Sequence, residues 1–307
     1  KSNFGIFLDS SPDRWGRVLM ERREAAIARK EERKPNTLFE TDYLLGVFDG
    51  HRMGAIRFKD HEEGPFLNDN KTMATPPWAS ISELEQASLL VEDDNTDDDE
   101  KLKWLNMLMA PGSSLGGARP KASVLDGKGQ LWIAKFPSKN DHKDIGAWEM
   151  VVHELAVIAG LDVADAMTGV YYSKQHTFLT KRFDRNEKGD RTHFASAMTL
   201  LGHTDGTNQQ SGVSYLDLVE FITRHGAQVD HDLEELWRRI VFYISVSNTD
   251  DHLRNHGFVL TTNGWVLSPA YDINPVETGT GLSLNISEKD NALDLELAME
   301  VAPYFRV

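Results

Sequence analysis

The sequence predicts an α+β protein of two lobes, with the sheet in the first and most helix in the second. Three observations predict it. Runs of strand character around turn signals fall mostly between residues 44 and 183, whereas 214–246 carries helical periodicity. At 307 residues the chain is long enough to bury a sizeable core and to form two lobes. Hydrophobic residues make up 40% and charged residues 26%, which is the composition of a folded chain. The expected division is a mixed α/β lobe over 1–183 and a mostly helical lobe over 184–307.

Residues 12–34 set an apolar stripe among many charges and read as a helix. Leu44 to Phe58 (LLGVFDGHRMGAIRF) places two strand-like runs around Asp49-Gly50, a hairpin signal. Ser80–Val91 reads as a helix with Ser80 and Glu83 as a capping box. Glu92–Glu100 (EDDNTDDDE) is an acidic run, best read as a solvated surface loop. Ala122–Phe136 repeats the hairpin pattern with a turn at Asp126-Gly127, and its second strand carries Lys135. Gly146–Gly160 is helical and stops at glycine. Val170–Phe183 gives two strands around Lys174-Gln175. Two helices over 214–246 and a hairpin turning at Asn263-Gly264 complete the pattern. No internal repeat or low-complexity segment is present.

Composition excludes several classes of function. The absence of cysteine removes disulfides, thiolate zinc sites and cysteine nucleophiles. Thirty-three basic against 48 acidic residues leave a net charge of −15, which argues against a broad nucleic-acid or anionic-lipid surface. No apolar run approaches the roughly 20 residues that span a bilayer. The opening KSNFGIFLDSSPDRWG has no basic-then-apolar leader, so the expectation is a cytoplasmic protein without membrane partners. His153, His203 and His225 are scattered and form no zinc-ligand pattern.

Four segments, none sufficient alone, together fit phosphoryl transfer. Asp250 and Asn255 in DDHLRN stand five positions apart, the spacing of a kinase base and its metal-binding amide. Asp272 in SPAYDINP follows a short hairpin, as the second metal-binding carboxylate of kinases does. Lys135 in WIAKF lies on a strand where a charge flanked by apolar residues needs a partner. GSSLGGARPK offers glycine-loop amides and Lys121 to phosphate oxygens, although it is neither of the standard glycine-loop motifs.

SNTDDHLRNHGFVL, SPAYDINP, LTKRFDR and GSSLGGARPKA together resemble HipA-type serine/threonine kinases of bacterial toxin–antitoxin modules, with TDxHxxN followed by PxYD, in this order, as the specific part. The opening FGIFLDSSPDRWGR is similar to the stretch before the kinase core of that family. The resemblance implies a two-lobed, protein-kinase-like α+β fold with ATP and Mg2+ between the lobes. It implies Asp250 as catalytic base, and Asn255 and Asp272 as magnesium ligands. Lys135 would contact ATP phosphates, with Glu149, ahead of Glu154, as its helix partner. Gly116, Gly117, Ala118, Arg119, Pro120 and Lys121 match the phosphate loop. Lys181, Arg182 and Phe183 match the hinge that meets adenine. His252, Leu253, Arg254 and Tyr271 would lie against the nucleotide. Ser114 matches the serine that members autophosphorylate, with Ser113 as a second candidate; a phosphate there adds about −1.5 to −2 charges beside the triphosphate pocket.

Members of this family phosphorylate proteins such as aminoacyl-tRNA synthetases. They pair with a helix-turn-helix antitoxin that binds operator DNA, so DNA contact would be indirect. Two departures stand out. Asp251 occupies a place where many relatives have a small residue and is expected to add negative charge near the metals. Family members also carry more residues at both ends. A small-molecule phosphotransferase and a non-catalytic kinase-like module are the alternatives.

Overall fold

The computed structural model describes residues 5–69, 76–92, 98–112, 117 and 119–307. The chain packs as two units, neither of them one stretch of sequence. The first comprises residues 1–147 and 166–191, the second residues 148–165 and 192–307.

The first unit sets four helices against a four-stranded antiparallel sheet. Helix α1 (Arg14–Lys30) begins at Asp13, whose carboxylate accepts the Arg14 N–H, and ends in Arg29 and Lys30, where cations suit the helix dipole. It is followed by α2 (Glu40–Gly46), α3 (Ile81–Val91) and α4 (Asp98–Gly112). The sheet has the order β1 (Lys121–Leu125), β2 (Leu131–Lys135), β4 (Thr177–Lys181), β3 (Ala166–Gly169). Trp15 and Leu19 of α1, Leu84 of α3, Leu105 and Leu108 of α4, and Val124, Ala134 and Leu179 of the sheet share one buried core.

Several expectations are corrected here. Residues 44–58 form no hairpin: α2 and a 3₁₀ turn over Asp49–His51 stand there instead. Tertiary packing overrides the local pattern. Tyr43 and Leu44 face inward from α2, and the fully buried Arg52 draws in the carbonyls of Ser10, Leu44, Val47 and Leu67, some of which a β-ladder would have used. The helix expected from Ser80 starts at Ile81, and Ser80 closes a 3₁₀ turn without a side-chain cap. Within the acidic run, residues 93–97 lie outside the described residues, and the chain is already helical at Asp98. The strand expected from Val170 lies earlier, over Ala166–Gly169, pairing Thr168 with Phe178. The 122–136 hairpin is present. Its turn is closed by the Asp126 carboxylate, which accepts the N–H groups of Lys128 and Gln130, both at 2.8 Å.

Helix α5 (Ile145–Ile158) starts in the first unit and continues into the second, and it ends before Gly160, which adopts φ +77°. Its start is crowded. A Cβ on Gly146 would stand 2.0 Å from the carbonyl oxygen of His176. Gly146→Ala is therefore expected to cost about 3 kcal/mol, because the obstacle is backbone and cannot rotate away. A urea midpoint unchanged from wild type would contradict this.

The second unit joins a three-stranded sheet to helices. The sheet is β5 (Phe194–Ser196), β6 (Gly257–Thr261) and β7 (Gly264–Leu267), in that order. The helices are α6 (Ala197–Leu200), α7 (Tyr215–His225), α8 (Val229–Val246) and α9 (Leu295–Val301). Ser214 and Asp217 make a reciprocal capping box at the start of α7. Buried polar groups of α8 grip the end of β7. Asp232 accepts the Leu267 N–H at 3.0 Å, and Arg239, paired with Glu235, donates to the Ser268 carbonyl at 2.8 Å. Among the described residues no helix is long and apolar enough to cross a membrane.

Candidate functional site

The first unit places two lysines face to face. β1 and β2 are antiparallel, and their register sets Lys121 directly opposite Lys135. Opposed residues of an antiparallel pair lie on one face, with Cβ atoms about 5 Å apart. Both side chains are buried, at 5% and 8% relative exposure. Two like charges so placed repel each other and are costly to desolvate. The Lys135 ammonium stands 5.7 Å from the Phe178 ring centre. The Lys121 ammonium lies over Gly117, 2.7 Å from where a Cβ would be. Gly117 has φ +83°, and its N–H donates to the Asp13 carboxylate at 2.5 Å while its carbonyl accepts the Trp15 N–H at 3.1 Å. The start of α1 thus anchors this part of the glycine loop.

The second unit builds its polar centre from the turn after α8. The helix stops at Ser247, which adopts the left-handed conformation at φ 55°. In the doublet that follows, Asp250 is exposed and Asp251 is fully buried. The Asn255 amide donates to the Asp250 carbonyl at 2.8 Å, a bond that also assigns the remaining end of that side chain as its oxygen. The Asp251 carboxyl accepts the Tyr215 hydroxyl and, at 2.8 Å, the Ser283 N–H. Burial pushes the Asp251 carboxyl up to about 7, against the pull of the Ser283 N–H. Burial likewise holds His256 neutral, down to about 3; its Nε2 meets the Asp251 carbonyl at 3.2 Å.

Asp272 lies on the segment leaving β7. It adopts φ 58°, a left-handed conformation that costs a non-glycine residue energy and recurs at functional sites. The Asn274 amide donates to the Asp272 carboxylate at 3.3 Å, and the Asn274 N–H donates to the buried Asn248 side chain at 3.2 Å. Tyr271, one residue earlier, donates its hydroxyl to the Arg254 carbonyl at 2.6 Å, tying this segment to the Asp250–Asn255 loop.

Residues 113–304 match the HipA-like C-terminal domain. The chain belongs to that family. It is 26% identical over 179 residues to a Haemophilus influenzae protein named "Putative kinase", covering 52% of each chain. It is 27% identical over 147 residues to a "Putative kinase" of Sinorhizobium fredii, covering 46% of this chain and 33% of that one. The chain thus spans about half or less of the curated relatives it matches. Among solved structures it is similar to HipA of the Shewanella oneidensis toxin–antitoxin system, solved with HipB and operator DNA. The TM-score there is 0.56 at 17% identity, over 89% of this chain and 69% of that one, a likeness of fold. The α+β, kinase-like fold expected from the sequence is the fold of this HipA-like chain.

Within this frame the expected site residues separate into groups. Ser113, Ser114, Gly116 and Ala118 lie outside the described residues. Gly117, Lys121 and Lys135 come together in the first unit, as just described. Pro120 is buried, and its carbonyl accepts the Phe136 N–H at 2.9 Å. The Arg119 guanidinium is engaged by the Asp141 carboxylate through both terminal nitrogens. Lys181 and Phe183 are half-buried at the end of β4. Arg182, expected against adenine, has its side chain inside the unit. It pairs with Asp184 at 2.6 Å and donates to the His51 carbonyl at 2.6 Å. In the second unit, Asp250, His252, Arg254, Asn255, Tyr271 and Asp272 belong to the loop and the segment that Tyr271 ties to it. Leu253, expected against the nucleotide, is 2% exposed, a core side chain of the loop. Arg254 pairs with Asp205 at 3.3 Å. Glu149 is buried on α5. Asp251, expected near the metals, instead turns its carboxyl inward to Tyr215 and Ser283.

The residues present fit a magnesium ion. Asp272 and Asn255 offer a carboxylate and an amide oxygen, the hard donors that magnesium takes. The Asn274 side-chain oxygen is buried without a hydrogen-bond partner, on the side chain whose amide donates to Asp272. Among the described residues no group of three or more His, Cys, Asp or Glu side chains is placed to hold a metal ion by itself. Magnesium is commonly held by one or two carboxylates together with substrate phosphates.

Sequence reasoning missed Tyr215, Ser283, Asn248, Asn274 and His256. Only the Asp250-Asp251 doublet hinted at them, since two adjacent acids outside a helix seldom share one environment.

Proposed function

We propose that this chain is an ATP-dependent serine/threonine protein kinase, the toxin half of a toxin–antitoxin pair. The observation that carries the proposal is the Asp250–Asn255 loop, with an exposed carboxylate whose own carbonyl is held by the amide five residues on. The buried Lys121–Lys135 pair supports it, as a site that favours polyphosphate.

In this reading Lys121 and Lys135 bind ATP phosphates. Asp250 orients the substrate hydroxyl and accepts its proton. Asn255 and Asp272 hold magnesium, which when bound neutralises charge on the transferring phosphoryl group. Most of the rate gain would come from positioning and electrostatics. Ser114, with Ser113 second, is the proposed autophosphorylation site. The proposed partners are a translation-related protein substrate, such as an aminoacyl-tRNA synthetase, and a helix-turn-helix antitoxin that carries any contact with DNA. The Shewanella relative, solved with HipB and operator DNA, supports the antitoxin. A net charge of −15 suits a basic partner.

The test is γ-labelled ATP with the full chain, supplied once with bacterial protein extract and once with a panel of small hydroxyl and amine acceptors. Label on serine or threonine of protein, abolished by chelating magnesium, is expected. Label on small acceptors alone would make the chain a small-molecule phosphotransferase. No transfer at all, with ATP still bound, would make it a non-catalytic module.

A further inference from the structure

We infer that Asp251, Tyr215 and Ser283 form a positioning clamp that sets the loop carrying Asp250, with Asp251 as an inward anchor and not a second acid of the metal centre. The inference rests on reading Asp250 as the base.

The geometry is local and complete within the second unit. Asp251 has 0% relative exposure, and both its carboxyl oxygens have donors: the Tyr215 hydroxyl on one and the Ser283 N–H, at 2.8 Å, on the other. Those donors come from two separate segments. Tyr215 opens α7, and its N–H donates to the Asn285 carbonyl at 2.9 Å, so α7 and the 283–285 strip are fixed to each other. The Ser283 hydroxyl then reaches back to the Thr249 carbonyl at 2.9 Å. The Asp251 carbonyl is held by the fully buried His256, whose ring meets the Tyr215 ring edge-on at 5.3 Å. The loop is therefore pinned just before and just after Asp250.

The consequence for Asp250 follows from backbone geometry. Asp250 and Asp251 are adjacent in a turn that sends the first carboxyl to the surface and the second into the interior. Fixing the carboxyl of 251 in the interior turns the carboxylate of 250 out, where it is exposed. A small residue at 251 would leave that orientation to the backbone alone. The Tyr215 hydroxyl and the Ser283 N–H make it a hydrogen-bonded constraint, and placement of a catalytic group by even about 1 Å can change rate by about 100-fold.

Tyr215→Phe is the cleanest probe, because it removes one hydroxyl and keeps the ring. Asp251→Asn is the second. Each would be compared with wild type in three measurements: kcat and ATP KM for phosphoryl transfer, the thermal unfolding midpoint, and amide hydrogen exchange by segment. The expected result is a kcat lowered about 10- to 100-fold with ATP KM within about threefold. Exchange should rise about tenfold over 249–256 and stay at wild-type level inside α8. The double variant should be no slower than the worse single one, since the groups act as a unit. Wild-type kcat with unchanged exchange in 249–256 would overturn the inference. So would exchange raised equally throughout the unit, the signature of a merely structural core group. If Asp251→Asn fails to fold, Tyr215→Phe still decides. If wild type transfers no phosphate, the kinase reading fails on its own, and the exchange comparison still tells whether the clamp holds the loop.

Discussion

Asp250→Ala should lower phosphoryl transfer about 100- to 10,000-fold, the usual contribution of a positioned acid–base group, and should leave the unfolding midpoint at the wild-type value. The two halves of this expectation have separate grounds. The loss follows from the proposed role in accepting the substrate proton. The unchanged stability follows from the structure. The Asp250 side chain is exposed, and what the loop uses is its backbone carbonyl, which accepts from Asn255 at 2.8 Å and survives truncation to alanine. Asp251→Ala should differ by adding a loss of stability to a loss of transfer. It leaves the Tyr215 hydroxyl and the Ser283 N–H without an acceptor in the interior, and should destabilise the unit by about 2–3 kcal/mol. Thermal melts and labelled-ATP assays on the two variants separate a surface acid that does chemistry from a buried one that both stabilises and positions the loop. An Asp250→Ala protein that keeps more than about a tenth of wild-type transfer would remove Asp250 from the role of base.

How much of this was legible in the sequence depended on whether the deciding interaction was local. Helices α1, α7 and α8 follow from apolar periodicity within each segment, and the structure adds local caps at Asp13 and Ser214. The hairpins β1–β2 and β6–β7 follow from turn residues that hydrogen-bond their own neighbours, as Asp126 does. Where the reading failed, a distant group decided. Residues 44–58 alternate like strands, yet the Arg52 side chain pulls carbonyls from Ser10 to Leu67 around itself, and no window of local sequence contains that. Strand β5 is three residues long, paired to β6 at a separation of more than 60 residues, too short to show a period of its own.

The candidate site divides along the same line. Asp250, Asn255 and Asp272 were legible because their spacing is a motif. Asn248, Asn274, Tyr215 and Ser283 were not, because they act on those residues from positions that carry no pattern. The Lys121–Lys135 pairing lay between these cases. Each lysine was noticed singly, but the register that sets them opposite depends on a turn running from Asp126 to Gln130, longer than the two-residue Asp-Gly turn suggested. Arg182 was the reverse: its segment matched a hinge, and its side chain proved to serve the interior.

That interior carries the largest expected effect on stability. Asp184→Ala should cost the first unit about 3–5 kcal/mol. Asp184 is 1% exposed and accepts from Arg182 at 2.8 and 2.6 Å, from Arg185 at 2.6 Å and from the Gly54 N–H at 2.8 Å. The surroundings are rich in positive charge: Arg52, Arg57, Arg182, Arg185 and Arg191 gather around two carboxylates, Asp49 and Asp184. Burial already lowers Arg52 and Arg185 to about 10, each against the pull of a nearby aspartate. Removing Asp184 leaves Arg182 with carbonyl partners but no counter-charge, and a guanidinium cannot escape by losing its proton near neutral pH. The same carboxylate sets an acid limit. Burial alone would push Asp184 up, and the Arg182 and Arg185 guanidiniums outweigh it, holding its pKa below the ordinary value. Its contribution is thus complete above about pH 4, where the unfolded chain also ionises, and is lost as pH falls through the lowered folded value. Urea midpoints at pH 7 and across the range below pH 4 should show a gap between wild type and Asp184→Ala that closes with acid. The paired change Arg182→Met with Asp184→Leu should recover part of the loss, because it removes the uncompensated Arg182 charge while Arg185 and the Gly54 N–H still lack the carboxylate. A double variant as weak as the single one would mean that the arginine's carbonyl contacts to the 51–52 turn, and not the ion pair, hold this corner together.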